Sequence, residues 1–306
     1  MMAKRIAPIA SPASALDQVA AAFAAIKKSY DAGANDLAAI GDLATSAVTL
    51  LLAPGTTVTA QGTAILDGQT KTYELRRYGV HLSRPIRQDL FIADPGVFAS
   101  LWVEFRAAFS DQDRKVVHLA TDRLLYTAAM SFAVCYDLYK ASSRKTPGTF
   151  FEVMIGAVLG AATGLPRGKQ ITLPGTAFKV PTDIVLHGLA CEPTLVIPTK
   201  ITTRERIVQP FAHQRILDDA FGRGRYKSVL VAVSELQRNG NTGVNEICVP
   251  GQIGLYQRYL GQMYGMYYLD PPAAYQKPTF IDLLPTKRFS ALLEMDLAEL
   301  MKPPKT

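Results

Sequence analysis

Asp183 and Lys200 are the residues whose types and spacing first suggest chemistry. Asp183 begins the apolar run of Pro181-Thr182-Asp183-Ile184-Val185-Leu186, and Lys200 closes the next one, Leu195-Val196-Ile197-Pro198-Thr199-Lys200, 17 residues later. A strand, a turn and a second strand fit that gap, with Pro198 marking an edge or a bulge. Neighbouring strands would then present a carboxylate beside an ammonium, a pair able to hold a divalent metal on a phosphate and to orient and polarise an attacking water. Taken alone, such a pair is more often a partly exposed salt bridge. Glu152 is a carboxylate in an otherwise apolar helical stretch, suited to supporting a metal site beside Asp183. Its plainer reading is an acid near a helix start, favoured by the macrodipole.

The triplet Arg204-Glu205-Arg206 follows Lys200 closely. Guanidinium forks reach O6 and N7 of guanine, and a carboxylate accepts from the cytosine N4 amino group, so the triplet suits G·C pairs read in the major groove. A solvated charge run is the usual fate of such a triplet by itself. After it, apolar residues spaced by three to four predict a helix from near Gln209 to about Ala220, with Pro210 tolerated in its first turn.

The elements that must position these groups follow from periodicity. Helices are expected over residues 15–30 and, capped by Asn35 or Asp36, up to Leu52, and again over 95–109 and 113–140. Between them, residues 57–78 form a hairpin turning at Asp67-Gly68. The polar, breaker-rich stretch Ala141–Gly148 divides a mainly helical part, residues 1–145, from a second part, residues 146–306. There an apolar helix over 149–163 precedes strands near 171–179, 183–187, 194–200, 229–236 and 266–269 and a helix over 253–263, an α/β layer structure.

A net charge of +7 and a pI near 9.2 favour an acidic partner such as nucleic acid. Arg167, Lys169, Lys179, Arg215, Arg223, Arg225 and Lys227 are candidates to line a phosphate path. Cys135, Cys191 and Cys248 are too few and too scattered for a disulfide framework or a zinc ribbon and are expected as free thiols in a reducing, cytoplasmic setting. No apolar run reaches the length of a membrane span, so no membrane partner is expected.

Taken in order, helix Glu152, strand Asp183, strand-end Lys200, then Lys-x-x-x-Arg-Glu-Arg and a helix, the chain resembles the PD-(D/E)XK type II restriction endonucleases of prokaryotes, in the branch that reads CCGG, CCNGG or CCWGG. The resemblance covers residues 149 to 270. It implies a restriction-endonuclease-like core with a mixed central sheet flanked by helices, Mg²⁺ as cofactor, and double-stranded DNA as partner of a homodimer or tetramer. It places Asp183 and Lys200 in the cleavage site, Glu152 in its support and as a metal ligand with Asp183, and Arg204, Glu205 and Arg206 on the bases. One departure matters. The acid expected two residues before the lysine is Pro198, and its usual substitute on the next helix falls at His213 or Gln214, of which Gln214 is the first choice as replacement. The rival readings are a DNA-binding protein on the same fold that does not cut, and an α/β enzyme for an anionic small molecule.

Overall fold

The computed structural model describes residues 12–53, 56–66, 69–109, 120–189 and 192–303, without the side chains of 59–66, 69–70 and 204–205. Helices α1 (Pro12–Asp31) and α2 (Leu37–Leu51) come first, and Asp36 caps the second by accepting from Ala39 N–H at 2.9 Å. Strands β1 (Thr57–Leu66) and β2 (Gln69–Tyr78) form the expected antiparallel hairpin, extended by the short β3 (His81–Leu82) and β4 (Ile86–Arg87). Its turn, Asp67-Gly68, lies outside the described residues, as do 113–119 of the fourth expected helix. Helix α3 (Pro95–Ala107) is capped by Asp94, and α4 (Thr121–Tyr139) and α5 (Thr146–Thr163) complete the helical layer.

The central sheet has seven strands: β5 (Arg167–Thr172), β6 (Lys179–Leu186), β7 (Thr194–Ile197), β8 (Thr199–Lys200), β9 (Tyr226–Ala232), β12 (Gly265–Tyr268) and β13 (Thr286–Arg288). Strands β5, β6 and β7 pair antiparallel, whereas β7, β8 and β12 run parallel to β9 and β13 runs parallel to β12, so the sheet is mixed. Strand periodicity splits its side chains between two faces. Ile184, Leu186, Leu195, Ile197, Val229 and Val231 pack toward α5 and the N-terminal helices. Val185 and Val196 meet Leu217, and Leu230 and Ala232 meet Phe211 and Ile253, beneath α6 (Val208–Phe221) and α7 (Pro250–Tyr259). A small hairpin, β10 (Leu236–Asn239) with β11 (Gly243–Glu246), stands apart from this sheet.

The expected strand over 171–179 is two strand ends joined by a turn, because Gly175 takes a positive φ of 68° that interrupts the extended chain. The expected strand over 229–236 ends at Ala232, and β10 and β13 carry too few residues for a periodic signal.

One apolar cluster runs from Leu16 through α2, α4 and α5 to Val231, continuous across the stretch 141–148. Phe132 of α4 stacks on Phe150 of α5 at 4.3 Å, and Phe23 of α1 meets both edge-on. Such aromatic pairs add about 0.5–1.5 kcal/mol each beyond the area they bury. The accessory sheet is held to the central one by buried charge. Asp270, just beyond β12, receives the Arg87 guanidinium and Lys71 Nζ, and Lys71 also donates to the Pro271 carbonyl at 3.0 Å. Among the described residues no helix is long and apolar enough to cross a membrane.

Candidate active site

Pro198 shapes the site. Strand β7 pairs with β6 as far as Ile197, opposite Ile184, and the chain then continues as β8 against β9 alone. Proline has no N–H with which to continue a ladder. Beyond it the amide of Thr199 donates to Asp183 Oδ2 at 2.7 Å, so a side chain takes the place of a strand neighbour. Lys200 Nζ reaches the same oxygen at 2.9 Å, and the Thr199 hydroxyl lies 3.4 Å away. Asp183 Oδ1 has no hydrogen-bond partner among the described residues. The carboxylate and ammonium are 29% and 21% exposed, open enough to meet a ligand.

These two groups line a cleft of about 260 Å³ beside the start of α6, together with Arg206, Gln209, His213 and Ser228. A 3₁₀ turn over Arg204–Ile207 leads straight into α6, so the Arg-Glu-Arg triplet does sit between strand and helix. Arg206 is exposed at the cleft; the side chains of Arg204 and Glu205 lie outside the described residues. Burial lowers the pKa of His213 from the ordinary histidine value, the Lys200 charge lowers it further, and Asp183 opposes both. The imidazole is therefore neutral at pH 7, able to accept one hydrogen bond and donate another. Ser228 Oγ is buried and has no hydrogen-bond partner among the described residues, and nothing in its sequence neighbourhood marked it.

Gln214 is placed elsewhere. Successive residues on a helix point about 100° apart, and here His213 faces the cleft while Gln214 turns toward the sheet. Gln214 is fully buried against β9, where its amide donates to Asp218 Oδ1 at 2.7 Å and the Tyr226 carbonyl at 3.0 Å and accepts from Ser228 N–H at 2.8 Å. The first choice for the replaced ligand is thus a clamp between α6 and β9, and the imidazole beside it is the side chain in the cleft. Glu152 does not line the cleft either. Lys169 holds its carboxylate at 2.8 Å and Asp31 at 3.1 Å. Burial raises the Glu152 pKa, Lys169 pulls it back, and the charge of Asp183 adds to the rise.

Several cations expected on a phosphate path are engaged within the chain. Arg167 donates to the Ala34 carbonyl and lies over the Tyr30 ring, Arg225 donates to the Glu192 carbonyl, Lys227 donates to the carbonyls of Leu300 and Lys302, and Arg215 pairs with Asp219. Lys179 and Arg223 remain exposed. Cys135 is a buried free thiol and Cys248 a partly buried one, while Cys191 lies outside the described residues.

Set against known proteins, this arrangement has a clear relative. The crystal structure of the Type IIP restriction endonuclease Kpn2I is 34% identical to the chain, covers 92% of it and 97% of its own length, and superposes with a TM-score of 0.80. The chain belongs to the type II restriction endonucleases. A complex of the restriction endonuclease PspGI with substrate DNA is a remoter likeness, 14% identical over 67% of this chain and 90% of its own, with a TM-score of 0.42, and adds nothing to the assignment. No protein-family model and no curated protein matches the sequence.

For this restriction endonuclease the position of Gln214 has a measurable consequence. Gln214→Leu removes three hydrogen bonds and strands the Tyr226 carbonyl and the Ser228 amide, an expected loss of about 2–4 kcal/mol in urea denaturation. The variant that remains folded should cut within about threefold of the parent rate, a ΔΔG‡ under 1 kcal/mol. A loss of cutting far beyond the loss of stability would return Gln214 to the metal site.

Proposed function

We propose that the protein is a Mg²⁺-dependent endonuclease that hydrolyses both strands of duplex DNA at a palindromic site containing CC and GG, of the CCGG or CCNGG type, as a homodimer. The observation that carries this reading is the sharing of one cleft by a carboxylate–lysine pair and by Arg206 of the Arg-Glu-Arg triplet. A palindrome calls for matching two-fold symmetry in the protein, with each subunit cutting one strand.

The donor set fits magnesium. Mg²⁺ is held through one or two carboxylates together with water and substrate phosphates, and does not need a closed protein cage. Asp183 offers the oxygen that Lys200 and Thr199 leave unused; Glu152, outside the cleft and paired with Lys169, is near enough to feel the Asp183 charge and would support the site from there. Among the described residues no three His, Cys, Asp or Glu side chains converge as a zinc site would require. When bound, the ion would neutralise charge on the scissile phosphate.

The remaining work falls to the chain itself. Asp183 fixes Lys200, whose ammonium then stands where negative charge develops as the phosphodiester is attacked. His213, neutral, offers an acceptor that can orient a water in the cleft. Arg204 and Arg206 take guanine edges and Glu205 a cytosine amino group, all within one half-site.

The test is incubation with DNA of mixed sequence, with Mg²⁺ or with EDTA, followed by sequencing of new ends. The expected result is fragments that share ends at one C·G-rich palindrome and form only with Mg²⁺. Ends scattered without a common sequence, or equal cutting in EDTA, would refute it.

A further inference from the structure

Glu235 is 1% exposed, in the segment that leads from β9 toward β10. Its carboxylate accepts the Thr203 amide at 3.0 Å on one oxygen and 3.3 Å on the other, and it also accepts the Tyr268 hydroxyl at 2.8 Å. Tyr268 is fully buried on β12. Two donors thus converge on the oxygens of one acid. A carboxylate held that deep is costly to retain and must be compensated by the bonds it makes.

What those bonds hold is the origin of the Arg-Glu-Arg turn. Val231 N–H donates to the Pro198 carbonyl at 3.0 Å, Val233 N–H to Lys200 at 3.0 Å and Ser234 N–H to Ile201 at 3.2 Å, rung after rung along the segment that carries Lys200. Glu235 supplies the last rung with its side chain, at the point where the backbone of residues 198–203 leaves the sheet. One residue later the 3₁₀ turn begins, and its opening bond runs from Arg206 N–H back to the Thr203 carbonyl at 3.0 Å. Thr203 is thus fixed on its amide side by Glu235 and on its carbonyl side by the turn it starts.

We infer that Glu235 is a positioning residue for base readout, acting through Thr203 to aim Arg204, Glu205 and Arg206. The inference rests on the reading of that triplet as the base-reading group. It separates two duties on one segment. The rungs to Val231 and Val233 are backbone bonds that any Glu235 variant keeps, so Lys200 stays in place. The turn loses its anchor.

The experiment compares kcat and KM for the specific DNA, and kcat/KM for DNAs with one base pair changed, across four folded variants. Arg206→Ala reports whether the triplet reads bases. Glu235→Ala is expected to keep kcat on the specific site within about threefold but to lower discrimination about tenfold or more, since misplacing a recognition group by about 1 Å costs up to about a hundredfold. Glu235→Gln keeps an acceptor for the Thr203 amide and should recover most of that discrimination. Should Glu235→Ala fail to fold, Thr203→Pro removes the same amide donor at a φ of −78°, which suits the proline ring, and should show the same loss. A merely structural Glu235 would lower Tm and reduce activity on all DNAs alike, which would overturn the inference. So would normal discrimination in Glu235→Ala or Thr203→Pro where Arg206→Ala has lost it. If Arg206→Ala itself discriminates normally, the readout assignment fails first and this inference with it.

Discussion

Lys200→Ala is expected to abolish cleavage while leaving specific binding in place. Removing a preorganised charge aimed at the developing transition state costs about 10²–10³ in kcat, and the fall here should be at least that large. Among the described residues the ammonium's one hydrogen-bond partner is Asp183 at 2.9 Å, and both groups are partly exposed, so the structural loss is small, about 0–1 kcal/mol. The expected pattern is therefore a folded protein, a retarded band on the specific duplex at the parent concentration, and no nicked or linear product. Cutting at the parent rate would remove Lys200 from the cleavage site. Loss of binding together with cutting would instead mark it as a DNA anchor.

Arg206→Ala is expected to relax sequence selection. A guanidinium paired bidentately with guanine contributes about 1–3 kcal/mol of discrimination, so a DNA changed at that base pair should approach the specific one by about five- to 150-fold in relative affinity. A contact to phosphate would behave otherwise. It would weaken all duplexes evenly and lower the slope of log K against log salt by about 1. Arg206 lies at the cleft with Asp183 and Lys200, so competition binding at two salt concentrations distinguishes the roles with one variant.

Much of the geometry around Asp183 and Lys200 is legible in the sequence. Asp183 and Lys200 flank β-branched runs, and two such runs joined by a short connection become neighbouring buried strands, although β6 begins at Lys179, four residues before Asp183, where no apolar pattern marks it. Pro198 announced the break that lets Thr199 turn its amide to Asp183. The arc from strand through Arg204-Glu205-Arg206 to helix was equally plain, because Pro210 suits the first turn of α6. The choice between His213 and Gln214 was not. Adjacent helix positions differ only in azimuth, and azimuth is decided by how α6 docks through Phe211 onto Leu230 and through Leu217 onto Val185 and Val196, which no local pattern states. Amide chemistry did not help, since glutamine serves equally as a ligand-like group and as a buried clamp. Glu235 was hidden for a related reason. Its role depends on Thr203 and Tyr268, 32 and 33 residues away, and a single acid between Ser234 and Leu236 gives no period to read. For the lysines and arginines of the supposed phosphate path, charge is visible in sequence and its partners are not. Lys169 and Lys227 carry the right charge and spend it inside the chain.

The unbroken core from α1 to β9 bears on how such an enzyme can change over generations. Helix α5 belongs at once to the helical layer, through Phe150, and to the face of the sheet that lies behind Asp183. Neither half is a cartridge to be exchanged by recombination at the turn between α4 and α5, since a foreign partner would meet a packing surface shaped for Phe23 and Phe132. If the Arg-Glu-Arg turn reads the bases as proposed, new specificities are accordingly easier to reach by point changes on the short arc from Ile201 to Gln209 than by borrowing a whole half from a cousin.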